Sequence, residues 1–244
     1  MESADRDVIE ALNAVVEKHP RWGFWMCYDR LRLQGHGWNH KRVYRVYKAM
    51  KLNLPRRRKR RLPKRVQVPM AVEARANAQW SMDFMSDTQY HGRRFRTLNI
   101  LDEGVREALA IVVDTSIPGA RVVRTLDRLV QWRGKPDAIR LDNGPEYLSE
   151  VFAGCCKAQG IRLNYIQPGK PNQNAYIERF NRTFRHEVLD AYLFESLHQV
   201  RQITRQWIAE YNEERPRDSL GRIPPTLFRR RIETAGNSTL ELSR

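Results

Sequence analysis

Residues 79–114 read QWSMDFMSDTQYHGRRFRTLNILDEGVREALAIVVD. Three runs in this stretch, Gln79–Met85, Arg94–Leu101 and Ala108–Asp114, carry the apolar, β-branched and aromatic side chains of strands. The links between them are short, which suits an antiparallel meander. Downstream the pattern changes. Val122, Leu126, Leu129 and Val130 recur at helical steps between Pro118 and Arg133, followed by a short strand at Ala138–Leu141. A helix over about Ser149–Gln159 and a strand at Arg162–Ile166 come next. Strand–helix–strand alternation suits parallel additions to the same sheet. The expected fold class is α/β, a mixed sheet with helices on its faces.

Beyond the last strand, residues 171–188 read PNQNAYIERFNRTFRHEV. Tyr176, Ile177, Phe180, Phe184 and Val188 make an apolar stripe at three- and four-residue steps. Asn174, Glu178, Arg182 and Arg185 are expected on roughly the opposite face. A carboxylate flanked by an amide and two guanidinium groups suits a site that handles phosphate and a metal, although an ordinary solvated helix face would read the same way. Further on, Ser196-Leu197-His198-Gln199 resembles a capping box that opens a helix through Val200, Ile203, Trp207 and Tyr211.

Charge divides the chain unevenly. The formal net charge is +16; residues 1–70 hold 18 Lys+Arg against 6 Asp+Glu, and residues 71–244 hold 26 against 22. Such asymmetry points to a module that tracks a polyanion, nucleic acid above all. Within the basic part, residues 6–18 read as a helix, Trp25–Leu33 as a second, and a third opens at Asn39. In the third, Val43, Tyr44, Tyr47 and Met50 are expected inward, with Lys41, Arg42, Arg45 and Lys48 outward. A helix pair with a Gly-containing turn and a basic second member suggests a helix-turn-helix DNA module, with Arg42 and Arg45 as contacts. A small helical bundle would show the same spacing.

Residues 51–65 (KLNLPRRRKRRLPKR) contain nine basic residues and no acid. Self-repulsion keeps such a block from folding alone. Arg56, Arg57, Arg58, Lys59, Arg60 and Arg61 are expected along DNA phosphates, in a salt-sensitive and sequence-independent way. The expected domains are a helical unit at 1–54, a basic linker at 55–70, a core with a C-terminal helical extension at 71–232, and a tail at 233–244. Three cysteines, Cys27, Cys155 and Cys156, form neither a disulfide framework nor a zinc pattern, so a reducing, cytoplasmic setting is expected. No apolar run reaches a membrane-span length and no hydrophobic signal core opens the chain.

Three acids stand out: Asp83 in an otherwise apolar strand, Asp142 just past a strand at Asp-Asn-Gly-Pro-Glu, and Glu178 on the helix. Singly, each has a plain alternative, Asp83 on the solvent face of an edge strand and Asp142-Asn143-Gly144 as an ordinary turn. Together with their flanks they resemble a known family. The segments are Trp80-Ser81-Met82-Asp83-Phe84, Leu141-Asp142-Asn143-Gly144-Pro145-Glu146-Tyr147, and Pro168 to Asn181 with 35 residues between Asp142 and Glu178. A tail with Trp207-Ile208, Glu210-Tyr211-Asn212, Arg215-Pro216 and Ser219-Leu220-Gly221 matches too. The chain resembles the integrase-like DDE transposases of the insertion sequence 3 family, in the form encoded by the second reading frame.

That resemblance implies a ribonuclease-H-like core in which Asp83, Asp142 and Glu178 are catalytic and bind two Mg²⁺ ions, with Mn²⁺ a substitute. It implies cleavage at an element's end followed by strand transfer, on double-stranded DNA, by a homo-oligomer. It also implies an upstream-frame protein or fusion segment as partner and a bacterial, nucleoid-associated location. The other outcome is a regulator or structural subunit that binds DNA without catalysis. Lys170 is expected to reach phosphate from a loop before the catalytic helix. Arg185 matches a basic position seven residues past the family's Glu, and Arg182 either contacts DNA or pairs with Glu178. Arg217 stands where the family typically has His.

Overall fold

The computed structural model describes residues 5–54, 73–167 and 174–241. Two compact units are distinguished: residues 1–69 with 214–224, and residues 70–213 with 225–244.

The second unit is built on a five-stranded sheet of order β3-β2-β1-β4-β5, made of β1 (Gln79–Thr88), β2 (Arg94–Asp102), β3 (Ala108–Asp114), β4 (Ala138–Leu141) and β5 (Arg162–Tyr165). β1 pairs antiparallel with β2, and β2 with β3. β4 runs parallel to β1, and β5 to β4. The sequence dictates this split. Five-residue links reverse the chain between the first three strands, whereas α4 (Gly119–Arg133) and α5 (Glu150–Ala158) are crossovers long enough to carry it back so that the next strand runs parallel. α4 stops at Gly134, whose φ of +85° with ψ 167° is open in practice only to glycine. α5 starts where the Ser149 hydroxyl accepts the Phe152 N–H at 3.4 Å.

Period-two alternation gives each sheet face its own core. Trp80, Met82, Leu98, Ile100, Ile139 and Leu141 pack with Val122, Leu126 and Phe152 from α4 and α5. On the other face Phe95, Leu101 and Val113 meet α6 (Ala175–Phe184) and α7 (Leu197–Glu213) through Ile177, Phe180, Phe184, Val200, Trp207 and Tyr211. Each large apolar side chain so buried contributes about 1.5–3 kcal/mol. Val188 completes the predicted stripe from a π-helical turn, Arg185–Leu189, that follows α6. The Ser196 hydroxyl accepts the Gln199 N–H at 3.3 Å, and the Gln199 side chain accepts the Glu195 N–H at 3.0 Å, a capping box shifted by one residue. α8 (Pro225–Glu241) runs without a break through residue 233, where a separate tail was expected to begin.

The first unit holds α1 (Arg6–Lys18), α2 (Phe24–Leu33) and α3 (His40–Ala49) around Leu12, Trp22, Leu31, Val43, Val46 and Tyr47. The Asn39 side chain caps α3 by accepting the Lys41 N–H at 2.9 Å. Tyr44, expected inward, is 46 % exposed, and Val46 takes its place. The inward stripe runs 43, 46, 47 and 50, and residue 44 is 100° off it. Residues 214–224 were expected with the core but cluster with these helices. Lys18 and Arg30 hold the Glu214 carboxylate at 2.9 and 3.1 Å, and Arg222 lies 3.8 Å from Asp29. Arg217 pairs with Ile223 across an antiparallel bridge.

Candidate active site

Asp83 sits on β1, the central strand, so the edge-strand reading fails. Its cross-strand partner is Asn99 on β2, which places both side chains on one face of the sheet. α6 crosses that face and inserts Asn181 between them. The Asn181 Nδ2 donates to Asp83 Oδ2 at 2.6 Å, and the Asn99 Nδ2 donates to Asn181 Oδ1 at 2.7 Å. The other carboxylate oxygen, Oδ1, accepts the Phe84 N–H at 2.8 Å. Asp83 is thus held at both oxygens.

Asp142 reaches the same place by register. The last parallel pair between β1 and β4 is Ser81 with Arg140, and two residues further along each strand come Asp83 and Asp142. Neighbouring strands lie about 4.8 Å apart, so Asp142, one residue past the end of β4, follows on the strand next to that of Asp83. Asp142 Oδ1 accepts the Gly144 N–H at 3.1 Å. A Cβ on Gly144 would come within 3.0 Å of Asp142 Oδ1 and 3.4 Å of Glu146 Oε2. Glycine keeps the space between those two carboxylates open. Asn143 anchors the turn by donating to the Ile166 carbonyl at 3.2 Å.

Glu178 lies three residues before Asn181, one turn away on the same side of α6, and is exposed. Burial pushes the Asp83 carboxyl up to about 6, and the charges of Asp142 and Glu178 push in the same direction, against the Phe84 N–H and Asn181. Asp142 and Glu178 therefore both lie within electrostatic reach of Asp83. Among the described residues they do not converge as a ready metal-holding set: no three Asp, Glu, His or Cys side chains do so. Nor does any of the three form an ion pair there. The negative charge of the cluster is left uncompensated by the described side chains.

Around it lies a supporting layer that sequence reasoning missed. Arg96 forms an ion pair with Glu146 and stacks 4.3 Å from the Phe84 ring, which lies 5.3 Å from Tyr147. Burial works to raise the Glu146 carboxyl, but the Arg96 hydrogen bond, a backbone hydrogen bond and the Arg96 charge together outweigh it and hold it below its ordinary value. Tyr147 is fully buried, and burial, with the charges of Asp83, Asp142 and Glu146, holds its hydroxyl well above its ordinary value. Asn99 and Asn181 each carried one available signal: Asn99 is an amide between Leu98 and Ile100, and Asn181 falls on the inward side as the fourth residue after Ile177.

Other expected contacts are placed differently. Asn174 is 4 % exposed rather than on the open face of Glu178, and its Oδ1 has no partner among the described residues. It precedes α6 with φ −111° and ψ 18°, so the helical step does not govern it. Arg182 is exposed and makes no ion pair with Glu178. Arg185 turns back to β1, donating to the Ser86 carbonyl at 3.0 Å and lying 3.3 Å from Asp87. Arg42 pairs with Asp5 and Asp7 at 3.0 and 3.1 Å, and Arg45 pairs with Asp5 at 2.7 Å. Both are committed to the start of α1 rather than standing free. Lys170 and Arg56, Arg57, Arg58, Lys59, Arg60 and Arg61 lie outside the described residues. Among the described residues no helix is long and apolar enough to cross a membrane.

Comparison with known proteins gives the geometry a context. The family description "Integrase core domain" matches residues 73–171 and 159–225, and "HTH-like domain" matches residues 2–60. An uncharacterized 31.7 kDa protein of insertion element IS407 from Burkholderia multivorans is 38 % identical over 225 residues, covering 92 % of this chain and 81 % of the relative. An uncharacterized 39.2 kDa protein of insertion element IS476 from Xanthomonas euvesicatoria is 41 % identical over 214 residues. That match covers 88 % of this chain and 62 % of the relative's length. In fold, the chain is similar to the integrase catalytic core domain of HTLV-2, solved in complex with magnesium. The TM-score is 0.53 at 16 % identity, covering 65 % of this chain and 99 % of the other.

Proposed function

The chain belongs to the insertion-element transposases that carry an integrase core, and from that premise we propose that Asp83, Asp142 and Glu178 carry a metal-dependent cleavage and joining of DNA strands. One observation supports this assignment above the rest. The Ser81–Arg140 pairing precedes Asp83 and Asp142 by two residues on neighbouring strands, and Asn181, one turn from Glu178 on α6, donates to the Asp83 carboxylate.

The donor set fits hard divalent cations such as Mg²⁺ or Mn²⁺: three carboxylates, no thiolate or imidazole, and no described cation to neutralise them. Asp83, Asp142 and Glu178 would hold them. When bound, two such ions supply Lewis acidity at the phosphate and lower the pKa of the attacking hydroxyl. Asn99 and Asn181 orient the Asp83 carboxylate, and Gly144 leaves room at Asp142 for phosphate to approach. Glu178 completes the set only when DNA is present, because free carboxylates repel one another.

Two displacements follow in order. Water attacks a phosphodiester at the element's end, the P–O bond to the neighbouring nucleotide breaks, and a 3′-hydroxyl leaves. That hydroxyl then attacks a second phosphodiester, losing its proton and expelling another 3′-oxygen. Neither displacement requires a covalent protein intermediate. We assign the helical unit to DNA binding of the helix-turn-helix kind, residues 55–70 to sequence-independent DNA tracking, copies of the chain to assembly on DNA at the nucleoid, and an upstream-frame protein or fusion segment to the working enzyme.

The test uses a labelled duplex of the element's terminus with Mg²⁺, comparing the native chain with Glu178→Gln. Retained binding with cleavage and joining lost in the variant is the expected result. A native chain that binds the duplex and neither cuts nor joins it sinks the assignment.

A further inference from the structure

The tip of the β1–β2 hairpin carries a surface that the cleavage site does not use. Tyr90 is 69 % exposed and Leu193 78 %, with Tyr192 half exposed beside them. Large rings are seldom left in water without a partner to cover them. Arg93 and Arg94 flank Tyr90, are exposed, and have no side-chain partner among the described residues. Residues 88–94 contain no acid, and neither do residues 191–194.

This tip is held in shape. The Gly92 N–H donates to the Gln89 carbonyl and the Gln89 N–H to the Arg93 carbonyl, both at 2.9 Å, with Gly92 at φ +82°. The Tyr90 N–H donates to the Phe194 carbonyl at 2.8 Å, which ties the hairpin to residues 190–196. Phe194 in turn is buried with its ring edge on Phe95 at 6.1 Å. Exposed rings on a fixed backbone lose little entropy when something stacks on them.

From these observations we infer that Tyr90, Tyr192 and Leu193, with Arg93 and Arg94, form a platform for an unpaired DNA strand. Aromatic planes beside unpaired guanidinium groups are the chemistry that takes a base face and its phosphate together. A second copy of this chain fits worse, since a two-fold pairing would set Arg93 and Arg94 against their own duplicates. Position agrees. The chain from Asp83 along β1 to Thr88 and into the turn at Tyr90 covers at most about 23 Å, within reach of one DNA end. Arg185, held at Ser86 and Asp87, lies along that path. A strand peeled from a cut end would be caught here while its partner stays at the acids. The inference rests on the DNA-cleaving reading of Asp83, Asp142 and Glu178.

The test uses the full chain without metal, with a blunt duplex and the same duplex bearing a short unpaired extension, read by fluorescence anisotropy. The native chain is expected to bind the extended probe about tenfold more tightly, the effect of one stacked base. Tyr90→Ala with Tyr192→Ala should erase that preference, and Tyr90→Phe with Tyr192→Phe should keep it. Arg93→Ala with Arg94→Ala should weaken both probes and flatten the salt dependence. A native chain without the preference overturns the inference, and so does an alanine variant that keeps it. The same holds if sedimentation shows the alanine variant losing self-association while extension binding is unchanged. Cleavage in Mg²⁺, measured separately, reads the parent assignment: preference without cleavage sinks that one and spares this one, and cleavage without preference does the reverse.

Discussion

Asp83 is held at about 6, above an ordinary 3.8, by burial first and then by the two neighbouring acids. The sign follows directly. An acid whose folded pKa exceeds its unfolded one withdraws stability as pH climbs between those values, and the loss is complete above the higher. Asp83→Asn removes the half-buried charge and keeps one oxygen for Asn181, while its NH2 group is set against the Phe84 N–H, which offsets part of the gain. It should raise the unfolding free energy by on the order of 1–3 kcal/mol at about pH 8, with the gain vanishing at about pH 3. Urea titrations at the two pH values check this; equal gains at both would refute the burial account. Cleavage should be lost throughout, a trade of function against stability. At this scale the three acids were legible, because their spacing and flanks lie in the sequence itself. Asn99 and Asn181 were not. An amide in an apolar run has no period of its own, and these two meet across 82 residues only after strand and helix are registered.

Elements were more legible than their side-chain partners. β3 and β4 have the predicted limits, since apolar runs bounded by turn residues define them. β1 goes on past Met85 to Thr88, through polar residues whose pairing with Arg94–Arg96 cannot be seen in a hydrophobic pattern. Hidden altogether was Glu107, a buried carboxylate in the β2–β3 link. It pairs with Arg133 at the end of α4 and lies 3.1 Å from Arg229 of α8. Glu107→Ala would leave the partly buried Arg133 guanidinium without its carboxylate, while Arg229 keeps Glu233 at 3.0 Å. The expected cost is about 3–5 kcal/mol, since removing one member of a buried pair strands the other's charge. Thermal melting of the variant decides it, and a loss within experimental error would mean that solvent reaches the arginines.

For the whole molecule, the order of residues along the chain and their grouping in space disagree. Residues 214–224 follow the catalytic elements but cluster with α1, α2 and α3. Burial works to raise the Glu214 carboxyl, but the Lys18 hydrogen bond and the charges of Arg30 and Lys18 outweigh it and hold it below its ordinary 4.5. A lowered pKa gives stability that is present above the unfolded value and fades as pH falls. Glu214→Gln should therefore melt the helical unit earlier at about pH 7 and have no effect at about pH 3. Tryptophan fluorescence of the native chain and the variant follows this unit through Trp22, which is buried, and Trp25, which faces Arg222 at 5.0 Å, once the signal of Trp80, Trp132 and Trp207 in the second unit is removed by Phe substitution in both. An identical effect at both pH values would rule out the ion pairs as its cause. The piece that joins the three helices is encoded downstream of all three catalytic acids, so residues 1–54 cut out alone would leave Lys18 and Arg30 without the Glu214 carboxylate they hold. A hybrid that swaps only the front of the reading frame would give those helices a stranger's latch.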